Sequence, residues 1–356
     1  MWIKEIKINN FRNYNKEEIK LEKNINIFYG ENAQGKTNII EAIFLCSMGK
    51  SFRTKKEKEM IFLNKENASI EIEFEKIDRD GKIKIELSNK KNVYINGIKI
   101  KKLSELLGNL NVVIFTPDDI NIFKGGPQNR RRFLDIMISQ LKPNYMYNLN
   151  LYLKTLEQRN NYLRQIKEEG RDENLLEIWD EKLAEYATNI SKYRNEFIEK
   201  IKNKIKTIHK EITANKEEIE IEYKTECLNK EEYLKLLKQR RKLDIIKGFT
   251  TKGIHRDDFV IYINKKELDI YGSQGQHRTA ILSLKLSELN IIYEEIGENP
   301  ILLLDDFMSE LDRNRINSFL KNIKNTQVII TCTEKINIEN KNILIYNVKE
   351  GNVIKK

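Results

Sequence analysis

The chain has 356 residues, 40% of them hydrophobic and 33% charged, with a formal net charge of +10. That length serves one large domain or two modest ones, and the basic excess favours polyanionic partners, nucleic acid first, although lysines that only solubilise the surface give the same charge. Three scattered cysteines, Cys46, Cys227 and Cys332, form no CxxC pair and no disulfide framework, which fits a reducing cytoplasm. The opening residues carry no apolar signal core, and no apolar run approaches the ~20 residues of a membrane span, so a cytoplasmic protein without a membrane partner is expected.

In chain order, residues 2–9 alternate as a strand, and 24–29 form a short apolar strand running into a glycine loop. Residues 37–47 read as a helix. Residues 69–76, 82–87 and 92–95 alternate with period two, with Asp80-Gly81 and Asn96-Gly97 as hairpin turns, which predicts an antiparallel sheet. Residues 112–115 are a buried strand stopped by Pro117. The texture changes after Gly125-Gly126-Pro127: from Gln128 to about Leu243 there is one proline, Pro143, and one glycine, Gly170. Leu149, Leu153, Leu156, Tyr162, Leu163 and Ile166 recur near helical spacing, as do Leu175, Ile178, Leu183, Tyr186, Ile190, Tyr193 and Phe197. Two long helices, 144–169 and 172–209, reversing at Gly170, predict an antiparallel arm ~40–60 Å long at about 1.5 Å per residue. After Gly248 the α/β texture returns. Strands are expected at 260–264, 301–304 and 328–331, helices at 275–296 and 311–323, and a closing hairpin at 343–348 and 352–354.

Gly30-Glu31-Asn32-Ala33-Gln34-Gly35-Lys36-Thr37 fits GxxxxGK(S/T), the Walker A pattern, after a strand and before a helix. The glycines let backbone N–H groups turn towards phosphate oxygens, and the helix N-terminus adds a positive dipole end. Residues 30–38, Asn38 included, therefore form the expected ATP or GTP site; Lys36 reaches the β- and γ-phosphates and Thr37 offers its hydroxyl oxygen to Mg²⁺. Ile301 to Asp306 fits Walker B: a strand apolar on both faces lies inside a sheet, and carboxylates at its C-terminal end sit beside the phosphates. Asp305 is the expected Mg²⁺ holder and Asp306 the group that polarises the attacking water.

Gly272-Ser273-Gln274-Gly275-Gln276 resembles the ABC signature and lies about 30 residues before Walker B. Ser273, Gly275, Gln276 and the following helix start can clamp a γ-phosphate. In the ABC architecture this clamp serves the ATP of a second subunit, so an ATP-dependent homodimer is expected. Ser309-Glu310-Leu311-Asp312 stands at the D-loop position, with Asp312 directed at the opposing Walker A. Thr331 stands where ABC proteins carry the switch histidine; it can hydrogen-bond γ-phosphate or water but cannot carry charge.

Five further segments carry a more specific resemblance: Asn10 to Tyr14 (NFRNY), Gly49 to Thr54 (GxSFRT), Gly125 to Asp135 (GSPxxRRxFLD), His255 to Asp258 (HRDD, with Ile254 where proline is usual) and Leu303 to Arg313 (LLDDVxSELDxxR). In order along the chain, they make it similar to the RecF family of ABC/SMC-type ATPases. The resemblance implies an α/β fold: an ABC-type P-loop ATPase head with an antiparallel β subdomain and an inserted helical arm. Residues 1–125 would be the N-terminal part of the head, 126–245 the arm and 246–356 the C-terminal part. It also implies ATP and Mg²⁺ as cofactors, weak DNA-dependent ATP hydrolysis used as a switch, and binding to single-stranded, gapped or junction DNA. A RecR-type mediator partner, assistance in recombinase loading and SOS induction complete the expected role in repair and replication restart.

Several positions stay open at this level. No glutamine follows residues 112–115; Thr116 takes the Q-loop place, and Asp118-Asp119 either share that work or cap a helix. Arg12 is placed near the nucleotide. Arg130, Arg131 and Arg132 either grip DNA phosphates or form ion pairs that anchor the arm. His255 and His277 have no metal-ligand company. A transporter subunit shares the nucleotide motifs but not the helical insertion of over 100 residues, and it would carry the Q-loop glutamine and switch histidine. A DNA-structure binder with a vestigial site conflicts with intact Lys36, Thr37, Asp305 and Ser273.

Overall fold

The computed structural model describes residues 1–306, 323, 325–334 and 343–356. Contacts divide the chain into two compact units, Met1–Asp119 with Leu282–Lys356, and Ile120–Ile281. The expected boundaries are 125/126 and 245/246. The later one differs because strand pairing joins residues on either side of 245 within the second unit.

In the first unit the chain runs β1 (Trp2–Phe11), β2 (Tyr14–Lys20), β3 (Ile25–Tyr29), α1 (Lys36–Met48), β4 (Ala68–Glu75), β5 (Asp80–Leu87), β6 (Asn92–Ile95), β7 (Ile98–Lys99) and β8 (Val112–Phe115). The second unit holds α2 (Asn121–Lys124), α3 (Pro127–Leu141), α4 (Pro143–Glu169), α5 (Leu176–Ile212), β9 (Ile219–Lys224), α6 (Lys230–Lys247), β10 (Asp258–Ile263), β11 (Lys266–Glu267), α7 (Leu268–Tyr271) and the start of α8 (Gln274–Ile296). From Leu282 the chain counts with the first unit again, adding β12 (Ile301–Asp305), β13 (Val328–Cys332), β14 (Ile343–Lys349) and β15 (Asn352–Lys355).

Two sheets build the first unit. One has the order β2-β1-β4-β5-β6-β7 and is antiparallel throughout. Its alternation puts Ile70, Ile72, Phe74, Ile83, Ile85 and Leu87 inside, while Lys82 meets Glu71 at 2.7 Å on the outer face. The other has the order β15-β14-β3-β13-β12-β8, parallel except for the closing β14–β15 hairpin. Its strands β13 and β12 and the edge strand β8 are buried at every residue, as strands covered on both faces must be. Helix α1 is buried almost all round, which its apolar run from Ile39 to Cys46, broken only by Glu41, requires.

The expected Asn96-Gly97 turn is present, with both residues at positive φ, 51° and 81°. The expected turn at Asp80-Gly81 is not. Both residues lie in β5, paired with Glu75 and Phe74, and the chain reverses one step earlier. The glycine is there for a different reason: a Cβ on Gly81 would come 2.2 Å from the Phe74 ring that lies over it. Strand β2 is not legible in the sequence because its residues 16–18, Lys-Glu-Glu, carry no apolar alternation.

The second unit joins helices α3–α6 to the small antiparallel sheet β11-β10-β9. Helices α4 and α5 pack together, and Gly170 at φ 67° closes α4 as expected. The apolar stripe differs in part from the expected one: Leu153 and Ile178 are 48% and 55% exposed. The buried face of α4 instead runs through Leu149, Tyr152, Thr155, Arg159 and Leu163. Two polar residues interrupt it, so hydrophobic spacing alone selects a neighbouring leucine. Arg159 is fully buried between Asp180 at 2.7 Å and Asp244 at 2.8 Å. Removing one partner of such a pair leaves an uncompensated charge in the core. No helix among the described residues is long and apolar enough to cross a membrane. The helix expected at 311–323 falls, apart from Ile323, outside the described residues.

Candidate nucleotide site

Strands β3, β13 and β12 are neighbours and parallel, with Asp305 opposite Thr331 and Thr331 opposite Phe28. Their carboxyl ends therefore share one edge of the sheet, the usual ligand position in open α/β sheets. From that edge Gly30 to Gly35 lead into α1. Gly35, at φ 115°, admits no side chain: a Cβ would meet the Asn13 amide at 2.6 Å. Gly30 lies equally close to Val348, whose carbonyl oxygen would be 2.3 Å from a Cβ. No side chain caps α1 and its first turn holds no acidic residue, so the helix start presents N–H groups and a positive dipole end to an anion.

The lysine of this loop is 4% exposed, and its Nζ donates to the carbonyls of Gly30 and Glu31 at 2.7 and 2.8 Å. One residue on, Thr37 Oγ1 donates to Asp305 Oδ1 at 2.9 Å. Two motifs 268 residues apart thus meet through one hydrogen bond. The Asp305 carboxyl is pushed up from its ordinary value by burial, an effect that hydrogen bonds from Thr331 and Thr37 oppose. Thr331 is fully buried, and its hydroxyl donates to Asp305 Oδ1 at 2.7 Å. It also accepts from the Asp306 N–H at 3.1 Å, while the Thr331 carbonyl accepts from the same group at 3.2 Å. Asp306 is held at φ 48°, a left-handed conformation for a non-glycine residue at the strand end. The hydroxyl has one proton, and it is committed to Asp305. Thr331 therefore ties the Asp305 carboxylate to the backbone of Asp306.

The outside of the loop is strapped by residues not marked as site residues from sequence. Asn13 Nδ2 donates to the Gln34 carbonyl at 2.8 Å, Asn13 Oδ1 accepts from Asn38, and the Tyr14 hydroxyl donates to the Gly35 carbonyl at 3.0 Å. Gln34 Oε1 accepts from the Glu350 N–H at 2.6 Å. Arg12 lies beside this strap with its guanidinium engaged: Nε and Nη2 reach the Glu41 carboxylate at 2.9 and 2.5 Å, and Nη1 reaches the Glu59 carbonyl. Ser51 and Arg53 also bond Glu41, and Arg53 bonds Asn38. A single acidic residue, four positions after Thr37 in an otherwise apolar helix, is the signal that could have exposed this hub. Asn32 and Ala33 complete the loop, Ala33 at φ 65°.

The signature segment belongs to the second unit. Ser273 and Gln276 form a reciprocal cap: Ser273 Oγ accepts from the Gln276 N–H at 3.2 Å, and Gln276 Oε1 accepts from the Ser273 N–H at 2.9 Å. The Ser273 side chain stays exposed and Gly275 lies in the first turn of α8. Asp312 lies outside the described residues. At the Q-loop place, the Thr116 N–H donates to Asp119 at 2.8 Å, the reciprocal half of a helix cap, while Asp119 also pairs with Lys285 at 3.6 Å.

A family model for the RecF/RecN/SMC N terminal domain matches residues 2–355. The DNA replication and repair protein RecF of Clostridium perfringens is 48% identical over 339 residues, 94% of this chain and 93% of that protein. RecF of Acetivibrio thermocellus is 46% identical over 353 residues, 96% of each chain. The chain belongs to the RecF family. Among solved structures, the recombination mediator protein RecF-ATP of the RecFOR pathway superposes with a TM-score of 0.94 at 43% identity, over 100% of this chain and 97% of that one. An SMC head bound to the C-winged helix domain of ScpA reaches 0.60 at 16% identity, over 100% of this chain and 98% of that one, a likeness of fold.

Of the two readings open for the arginines at 130–132, DNA phosphates or ion pairs, Arg130 shows ion pairs within the second unit. Arg130 is 5% exposed; it grips the Asp258 carboxylate at 2.6 and 2.8 Å and also pairs with Asp269. Arg131 donates to the Asp257 carbonyl at 2.7 Å. The Asp257 carboxyl, pushed up by burial, accepts from Arg194 and Tyr223. His255 lies between the Tyr152 hydroxyl and the Thr250 carbonyl, and burial lowers its pKa to about 4. The Arg130-Arg131 and His255–Asp258 segments are thus tied to each other, by the Arg130–Asp258 ion pair and by the Arg131 hydrogen bond to the Asp257 carbonyl. No group of three or more potential metal-binding side chains occurs among the described residues.

Proposed function

We propose that this RecF-family chain is an ATP-driven switch of recombinational repair and replication restart, acting in the cytoplasm on single-stranded, gapped or junction DNA. The observation that carries this reading is the Thr37–Asp305 hydrogen bond at the start of an uncapped helix, which joins a phosphate-binding loop to a buried carboxylate. The RecF relatives, one of them solved with ATP, support it.

Residues 30–38 would bind the triphosphate of ATP through backbone N–H groups, with Lys36 exchanging its two carbonyl partners for phosphate oxygens. Thr37 and Asp305 would hold Mg²⁺, which when bound neutralises charge on the phosphates. Asp306 would orient the attacking water. A carboxylate one methylene shorter than the usual glutamate gives slow turnover, which suits a timer. Thr331 would keep both carboxylates aligned, and Arg12 would act on the site through Glu41. In a homodimer formed with ATP, Ser273, Gly275 and Gln276 of one copy would complete the site of the other, with Asp312 facing the opposing loop. The solved relative's place in the RecFOR pathway supports a RecR-type mediator as partner. Assistance in recombinase loading and a part in SOS induction follow from the same family reading.

Sedimentation velocity with gapped DNA, with and without ATP and Mg²⁺, tests the switch. Dimers are expected only with ATP and are lost in Ser273→Arg. A monomer under every condition overturns the reading.

A further inference from the structure

The signature glutamine has a partner that no motif contains. Gln276 uses both ends of its side-chain amide: Oε1 accepts from the Ser273 N–H at 2.9 Å, and Nε2 donates to Glu217 Oε1 at 3.0 Å. An amide and its flipped form have nearly the same shape, so hydrogen-bond partners choose between them. A carboxylate accepts only. With Glu217 in place, the flip would set oxygen against oxygen at one end and N–H against N–H at the other. Without Glu217 the preference at the outer end disappears, and the Ser273 N–H alone holds the orientation of the amide.

Glu217 is itself tied down. It lies in the loop after the 37-residue helix α5, where Ala214 and Asn215 both adopt positive φ, 51° and 60°. Its second oxygen, Oε2, is 3.4 Å from Nε2 of His209, a fully buried residue in the last turn of α5. The cap it serves is the one that holds Ser273: the serine oxygen accepts from the Gln276 N–H, which leaves its hydroxyl proton to be donated elsewhere. On the neighbouring turn the His277 ring donates from Nδ1 to the Ser273 carbonyl at 2.8 Å, fixing the same residue from the other side.

We propose that Glu217 is a positioning residue of the signature: by accepting from Gln276 it sets the direction in which Ser273 and the start of α8 meet the nucleotide of a second copy. This rests on the dimer reading above. It makes the loop after α5 part of the composite site, although Glu217 lies 59 residues before Gln276.

The test uses full-length Glu217→Ala, Glu217→Gln, Gln276→Ala and the Glu217→Ala/Gln276→Ala double variant. Three quantities are measured: affinity for a fluorescent ATP analogue, ATP-dependent dimerisation on gapped DNA, and kcat and KM for ATP hydrolysis. Glu217→Ala is expected to lower kcat and dimerisation by roughly tenfold, the effect of one lost charged hydrogen bond, with KM and analogue affinity unchanged. Glu217→Gln keeps an acceptor and stays within about threefold of wild type, and the double variant is no worse than Gln276→Ala alone. The proposal is overturned if Glu217→Ala matches wild type while Ser273→Arg is inactive, if Glu217→Gln is as impaired as alanine, or if the two single effects add. Should Ser273→Arg also match wild type, the shared-site reading itself falls, and this inference with it.

Discussion

Thr331 and Asp305 face each other in the register of parallel strands β13 and β12, and the threonine hydroxyl donates to the carboxylate at 2.7 Å. The same hydroxyl receives the Asp306 N–H. One buried side chain therefore serves two consecutive aspartates, the carboxylate of one and the backbone N–H of the other, with opposite halves of its hydrogen-bonding capacity. A histidine at this place would have to fit a fully buried position and would lose the fit to both.

Thr331→Val keeps the shape and deletes the hydroxyl. Asp305 then retains Thr37 as a hydroxyl donor, and the Asp306 N–H retains the Thr331 carbonyl. A lost hydrogen bond to a charged group costs about 1.5–3 kcal/mol. A tenfold or greater fall in kcat and a higher Mg²⁺ requirement are expected, with nucleotide affinity little changed. A Mg²⁺ titration of ATP hydrolysis checks this, and an unchanged Mg²⁺ midpoint would contradict it.

Lys36→Ala should remove ATP binding and ATP-dependent dimerisation together, because Lys36 carries the buried positive charge of the loop. Asp306→Asn should bind ATP normally and dissociate as a dimer more slowly than wild type. Isothermal titration and dimer lifetime after dilution read the two outcomes. A dimer of the Asp306→Asn variant that decays as fast as wild type would remove Asp306 from the hydrolytic step.

Arg130→Ala separates anchoring from DNA contact. It strands Asp258 and Asp269 without their guanidinium, and breaking such a buried pair costs about 3–5 kcal/mol. Thermal unfolding should shift to much lower temperature. At temperatures where the variant is folded, the slope of log affinity for DNA against log salt should match wild type. A slope reduced by about one would assign Arg130 to a phosphate instead.

Glu288 gives a pH dependence with a defined sign. Burial raises its carboxyl to about 7 from an ordinary value of 4.5, against the opposing pull of Lys285 at 3.6 Å and alongside the like charge of Asp119. Between those two values the folded protein keeps a proton that the unfolded chain has lost. Unfolding therefore releases a proton, and stability falls as pH rises through this window, by up to ~1.4 kcal/mol per pH unit. Denaturant midpoints of wild type should drop between about pH 5 and 7, while those of Glu288→Gln should change much less. Equal slopes for both proteins would remove Glu288 as the source.

Much of this protein is legible along the chain because its determinants are local. The Gly30–Thr37 loop, the apolar strand Ile301–Asp305 and the turn at Asn96-Gly97 each specify their conformation within a few residues, through backbone freedom, strand patterning or helix dipole. Shared motifs such as Asn10–Tyr14 and His255–Asp258 mark the family in the same way, but not what their side chains do. That was decided by tertiary structure, since a charged residue reads identically whether it faces water or a buried partner. Arg130 and Arg159 look like surface cations until Asp258, Asp269, Asp180 and Asp244 close around them from distant parts of the chain. Thr331 looks like a substitute for histidine until strand register sets it against Asp305. Glu217 looks like one of many glutamates until the fold brings Gln276 to it. Hydrogen-bond partners distant in sequence leave no periodicity, and only the folded chain chooses among them.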